Sequence, residues 1–189
     1  IKSRLVNDGD YVEIGQSLLN ISQNRRLMLK AEVSERYYQF LPTLTSAHFK
    51  TPYNDKVYTL ESLNGKLKSY GRSSDNGSFY LPVIFEFDNK GDIIPGSYVE
   101  VFLLSGNINN VITVPVTALT EEQGSYFVYL QLDKEGYKKQ EVTLGVNDGK
   151  EVQILSGIKP GDRVVTKGAY QVKLAANSSI IPEGHSHSH

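Results

Sequence analysis

The feature that most constrains this chain is its punctuation. Asn-Asp-Gly and Pro-Gly turns recur at short intervals and leave room for strands rather than long helices. VNDG occurs at 6–9 and again at 146–149, and Pro-Gly occurs at 95–96 and 160–161. Between the turns lie runs rich in Val, Ile, Tyr, Phe and Thr, at 11–22, 27–33, 79–87, 98–104, 126–132, 138–144 and 151–155. Several alternate with the period of two that marks a half-buried strand, as in Val142 and Leu144 or Val152 and Ile154. The expected fold class is mostly β.

The turn residues carry their own chemistry. In GIKPGDRVV, Pro160 sets φ near −65° at the second position of a turn and Gly161 supplies positive φ at the third, which predicts a type II reversal between two strands. The repeated VNDG reads as shared turn chemistry rather than duplication, because Asn, Asp and Gly tolerate the positive φ of tight hairpins. Only SERYYQFL reads as a helix, with Ser34 as its cap, Glu35 in its first turn and Pro42 just past its end. Linkers are expected at 22–26 and 105–110.

Composition excludes several function classes. Lys and Arg number 20 against 21 Asp and Glu, with no run of five like charges, so the basic footprint of a nucleic-acid binder is missing. The chain has no cysteine, which removes thiol catalysis, thiolate metal sites and disulfides. No nucleophile elbow, zincin helix or dinucleotide loop occurs, and GVNDGKE falls one residue short of a phosphate loop. His48 stands far from every other histidine and reads as a packed or surface residue. Glu121 and Glu122 read as solvating a loop in TEEQGSY, and the 12 tyrosines as strand residues rather than a stacking platform. These readings predict a protein that is not an enzyme and holds no resident cofactor.

The order of the modules carries a resemblance. VNDGDYVEIGQSLLNIS is similar to the second half of a lipoyl-type domain, with Gly9, Asp10, Val12, Gly15 and Leu18 at its turn and strand positions. LMLKAEVSERYYQFL and IIPGSYVEVFLL resemble the opening and closing of the β-barrel domain of periplasmic adaptor subunits, also called membrane fusion proteins. Ser97 stands where that family often has Met. NNVITVPVTALTEEQGSYFVYLQLD and the stretch from KKQEVTL to GAYQVK resemble their membrane-proximal domain. Val114, Pro115 and Ala118 match its opening; Gly145, Val152, Ile154, Gly157, Gly161, Asp162, Val164, Val165 and Gly168 match its close.

The resemblance implies four segments: a partial lipoyl-like β-sandwich at 1–22, a β-barrel domain at 23–108, a membrane-proximal β domain at 109–182 and a histidine-bearing tail at 183–189. It further implies a periplasmic, non-catalytic adaptor between a resistance-nodulation-division (RND) transporter in the inner membrane and an outer-membrane channel, associating with further adaptor copies. An N-terminal anchor and the first lipoyl half are expected upstream of Ile1.

The sequence closes on GHSHSH. An extended chain places alternate residues on one side about 6.6–7 Å apart, so His185, His187 and His189 can present their imidazoles together to a zinc, nickel, cobalt or divalent copper ion. Metal binding there is expected to be transient, and it tilts the expected substrate toward divalent cations. A multidrug adaptor is the alternative, and an envelope β module binding carbohydrate or peptide a further one.

Overall fold

The computed structural model describes residues 3–5, 11, 13, 16, 19–20, 25–71, 79–133 and 136–178. It divides into two compact units, Ile1–Val101 and Phe102–His189.

In the first unit, β1 (Ser3–Arg4) pairs antiparallel with β2 (Leu19–Asn20). The five lipoyl-like positions Gly9, Asp10, Val12, Gly15 and Leu18 lie outside the described residues. The body of the unit is built from β3 (Arg26–Ser34), β4 (Ser46–Lys50), β5 (Val57–Thr59), β6 (Lys66–Tyr70), β7 (Tyr80–Asp88) and β8 (Glu100–Leu104). These form two three-stranded sheets, ordered β3-β7-β6 and β5-β4-β8, and β8 runs across the boundary into the second unit.

Strand β7 shows why the sequence folds this way. Its inward residues Leu81, Val83, Phe85 and Phe87 are almost wholly buried, while those between them face outward, so one strand supplies a core face by alternation alone. Phe49 of β4 stacks on Tyr58 at 5.2 Å and leans against Phe87 of β7 at 5.4 Å. Aromatic packing therefore joins the two sheets, which do not close into one hydrogen-bonded barrel among the described residues. Gly65 follows a turn too tight for any side chain, since a Cβ there would sit 2.6 Å from Leu60 Cβ.

The expected helix after Ser34 is a 3₁₀ helix over Glu35–Thr43. Pro42 lies inside it rather than past its end, and the Ser34 side chain makes no capping bond. The tighter turn explains the place of Pro42. Its i→i+3 bonding closes with the Leu44 amide on Leu41 O at 3.2 Å, and proline's fixed φ fits that last turn.

The second unit contains β9 (Ile112–Pro115), β10 (Thr120–Glu122), β11 (Ser125–Gln131), β12 (Tyr137–Asn147) and β13 (Glu151–Ser156), followed by α1 (Ala169–Ser178). The five strands form one antiparallel sheet in the order β10-β11-β12-β13-β9. A 3₁₀ turn at Val116–Ala118 links β9 to β10, the two edges of the sheet, and buries Ala118 completely. Val114, Val128, Val142, Val152 and Ile154 make the core, so the alternation read from 142–144 and 152–154 points inward as expected.

Both Pro-Gly turns form. The Asp162 amide donates to Lys159 O at 3.1 Å with Gly161 at φ +96°, and the Ser97 amide donates to Ile94 O at 3.3 Å with Gly96 at φ +84°. In the second VNDG, Asp148 accepts the amides of Lys150 and Glu151 at 2.8 and 2.7 Å, and Gly149 takes φ +89°. Helix α1 was not expected. AYQVKLAANS is rich in good helix formers, but it is short, has no acidic residue in its first turn and follows a run of strand-and-turn signals.

Candidate functional site

His48 lies buried on β4 of the first unit, and Glu121 and Glu122 lie on β10 of the second. Among the described residues no group of three or more His, Asp or Glu is placed to hold a metal ion. His185, His187 and His189 lie outside the described residues. Among those described, no helix is long and apolar enough to cross a membrane.

Glu121 and Glu122 are not loop residues, contrary to expectation. The reversal falls one step later, at Gln123 and Gly124, whose φ values of +50° and +81° make the tight hairpin turn. Both glutamates consequently join the ladder, paired with Tyr126 and Ser125. The tyrosines are also redistributed. Tyr58, Tyr70, Tyr80, Tyr126, Tyr129 and Tyr137 occupy strands, but Tyr37 and Tyr38 ride on the 3₁₀ helix, Tyr170 on α1, and Tyr53 and Tyr98 sit between elements.

That redistribution creates the most conspicuous surface of the first unit. Tyr37, Tyr38 and Phe40 are each nearly half exposed on the 3₁₀ helix. Phe79, 77% exposed, and Tyr80 stand beside them at the start of β7. The β3–β7 register pairs Ser34 with Tyr80, and the Glu35 amide donates to Phe79 O at 3.1 Å, which sets the two aromatic groups next to one another. Arg36 lies 4.7 Å above the Tyr37 ring. Aromatic rings with an arginine, and few other charges, form a surface suited to another protein. Sequence reasoning missed it because the tyrosines were read as strand residues, whereas Tyr37 and Tyr38 lie on the 3₁₀ helix and stay nearly half exposed.

A second feature is a groove of about 810 Å³, lined by Leu27, Met28, Phe49, Phe87 and the Ile93–Val99 stretch that carries the Pro95-Gly96 turn. Nearby, Lys56 reaches Asp92 at 3.0 Å and lies 4.6 Å over the Tyr58 ring. The hydrogen bond from Lys56 lowers the Asp92 carboxyl below its ordinary range. On the outer face of β7, Glu86 accepts from Lys68 at 3.0 Å and lies 3.5 Å from Arg26; the Lys68 bond is the main reason its carboxyl is lowered too. These are structural pairs on an exposed surface, worth little individually. None points at a reacting group.

The chain resembles known proteins over both units. Residues 112–173, which run from β9 into α1, match the family described as the CzcB C-terminal circularly permuted SH3-like domain. The multidrug resistance protein MdtA of Pantoea ananatis is 28% identical over 118 residues, and that of Klebsiella pneumoniae is 29% identical over the same length. Each alignment covers 62% of this chain and 29% of the relative, so the chain spans less than a third of the curated proteins it matches. The crystal structure of ZneB from Cupriavidus metallidurans aligns with 87% of this chain and 47% of its own, with 22% identity and a TM-score of 0.41.

Proposed function

For a chain that belongs to the periplasmic adaptor, or membrane fusion protein, family, we propose a non-catalytic bridging role between an RND-type transporter of the inner membrane and a channel of the outer membrane. The observation that carries this reading is the series of β modules: two packed three-stranded sheets followed in the same chain by the five-stranded sheet that matches an adaptor-family C-terminal domain. The segments at 1–22, 23–108, 109–182 and 183–189 are part of the proposal, as are a periplasmic location and contact with further adaptor copies. In this reading the protein does its work with surfaces, and the aromatic face of Tyr37, Tyr38, Phe40, Phe79 and Tyr80 is one of them.

The proposed cargo is a divalent transition metal. His185, His187 and His189 support it, as three ligands of the type that zinc, nickel, cobalt and divalent copper accept. A multidrug cargo is the second reading, favoured by the names of the relatives from Pantoea ananatis and Klebsiella pneumoniae.

Deleting the gene in its host and measuring growth across a series of metal salts and a series of drugs separates these readings. Sensitization to zinc, nickel, cobalt or copper salts, reversed by the complete protein, supports metal efflux. Sensitization to drugs alone moves the cargo to the second reading. Unchanged growth under both, together with no transporter recovered on cross-linking the complete protein in cells, would overturn the adaptor role.

A further inference from the structure

Helix α1 is held to its sheet by very little apolar surface. Among the helix residues whose burial is described, only Ala169 is buried; Val172 is half-buried, and Tyr170 and Leu174 face solvent at 60% and 51% exposure. A ten-residue helix is marginal in isolation, because nucleation is costly and few propagation steps offset it. Something other than hydrophobic burial has to keep α1 folded and docked.

A polar contact from Lys173 contributes to this. Lys173, one helical turn beyond Ala169, donates from Nζ to Glu121 O at 2.9 Å and lies 3.4 Å from Glu122 Oε1. Its side chain is 18% exposed. Glu122 is held in place from the other side, accepting a bond from Lys139 of β12, whose Nζ lies 4.1 Å over the Phe127 ring. Lys139 and Lys173 are the charged groups against Glu122 from β12 and α1; across the hairpin, β11 presents Ser125. Glu121 contributes its carbonyl, not its carboxylate.

We propose that Lys173, Glu122 and Lys139 form an electrostatic latch that keeps the C-terminal helix docked on β10, and that opening it frees the chain from Gly168 onward without unfolding the sheet. The sequence beyond Ser178 carries His185, His187 and His189. The bond from Lys139, and secondarily that from Lys173, lowers the Glu122 carboxyl below its ordinary range. A lowered carboxyl contributes stability that is present above the ordinary carboxylate range and lost as pH falls through the folded value. The latch is accordingly strongest with Glu122 ionised and weakens as that carboxyl gains its proton in acid, while the bond to Glu121 O remains.

Amide hydrogen exchange on the complete 189-residue chain tests this, comparing α1 with β12 and β13 at neutral pH. In K173M, which keeps an apolar stem, protection of the α1 amides should fall about tenfold or more while the strand amides keep theirs. E122Q should give a smaller loss, since Glu121 O still receives Lys173. In the unsubstituted chain, protection of α1 relative to intrinsic rates should drop in acid before that of the strands. Unchanged α1 protection in K173M would overturn the latch. Equal loss in α1 and the strands would overturn it as well, by making the pair a staple of the whole unit.

Discussion

Gly157 and Gly161 share a backbone requirement and differ in their surroundings. Both hold positive φ, at +110° and +96°, where any side chain is strained. A Cβ at Gly161 would meet nothing within 4 Å, whereas at Gly157 it would collide with Glu141 O and lie 3.0 Å from Val142 Cα. G161A should therefore cost only the left-handed penalty, about 1–2 kcal/mol. G157A should cost clearly more, because the β12 backbone has to move. Thermal unfolding of the two variants checks the order, and equal losses would mean that β12 yields freely. Both glycines were legible as turn residues in the sequence. Their unequal cost was not, since the colliding carbonyl belongs to a strand 16 positions earlier in the chain.

At the scale of elements, β7 and the 3₁₀ helix after Ser34 make opposite use of aromatic residues. Phe85 is fully buried at the centre of the β3-β7-β6 sheet, and F85A should destabilise the first unit by about 3–5 kcal/mol through lost burial and the cavity left behind. Replacing Tyr37, Tyr38 and Phe40 together with serine should change stability far less, about 0.5 kcal/mol or under per site, because these rings already face solvent. The same triple variant should lose efflux in cells if the aromatic face binds a partner. Wild-type efflux with wild-type abundance would remove that face from the mechanism. The run at 79–87 was readable as a strand, and the structure assigned its inward face. The helix after Ser34 was readable from Ser34, Glu35 and Pro42, but its 3₁₀ form, with Pro42 inside the last turn, was not.

For the whole molecule, the sharpest test concerns the histidines. Zinc titrated into the complete chain and into a version ending at Glu183 should bind the first weakly and the second not at all. Affinity should decline as pH falls through about 6.5, where an unperturbed imidazole gains its proton and stops being a ligand. Equal binding by both chains would remove the tail and favour the multidrug reading. The unfolding profile should be unaffected by zinc, as no group of three or more His, Asp or Glu among the described residues is placed to hold a metal ion.

The sequence by itself determined the mostly β class, the alternation of inward residues in β12 and β13, and the positions of both Pro-Gly turns, because each depends on residues close together in the chain. Tertiary structure alone decided what depends on distant partners. It drew Glu122 into a strand beside Lys139 and Lys173, brought Phe79 against the aromatic 3₁₀ helix, and gave AYQVKLAANS a helical conformation by docking it on β10. Local turn chemistry and alternation are written in consecutive residues. The latch and the aromatic face exist only where strands far apart in sequence are folded side by side.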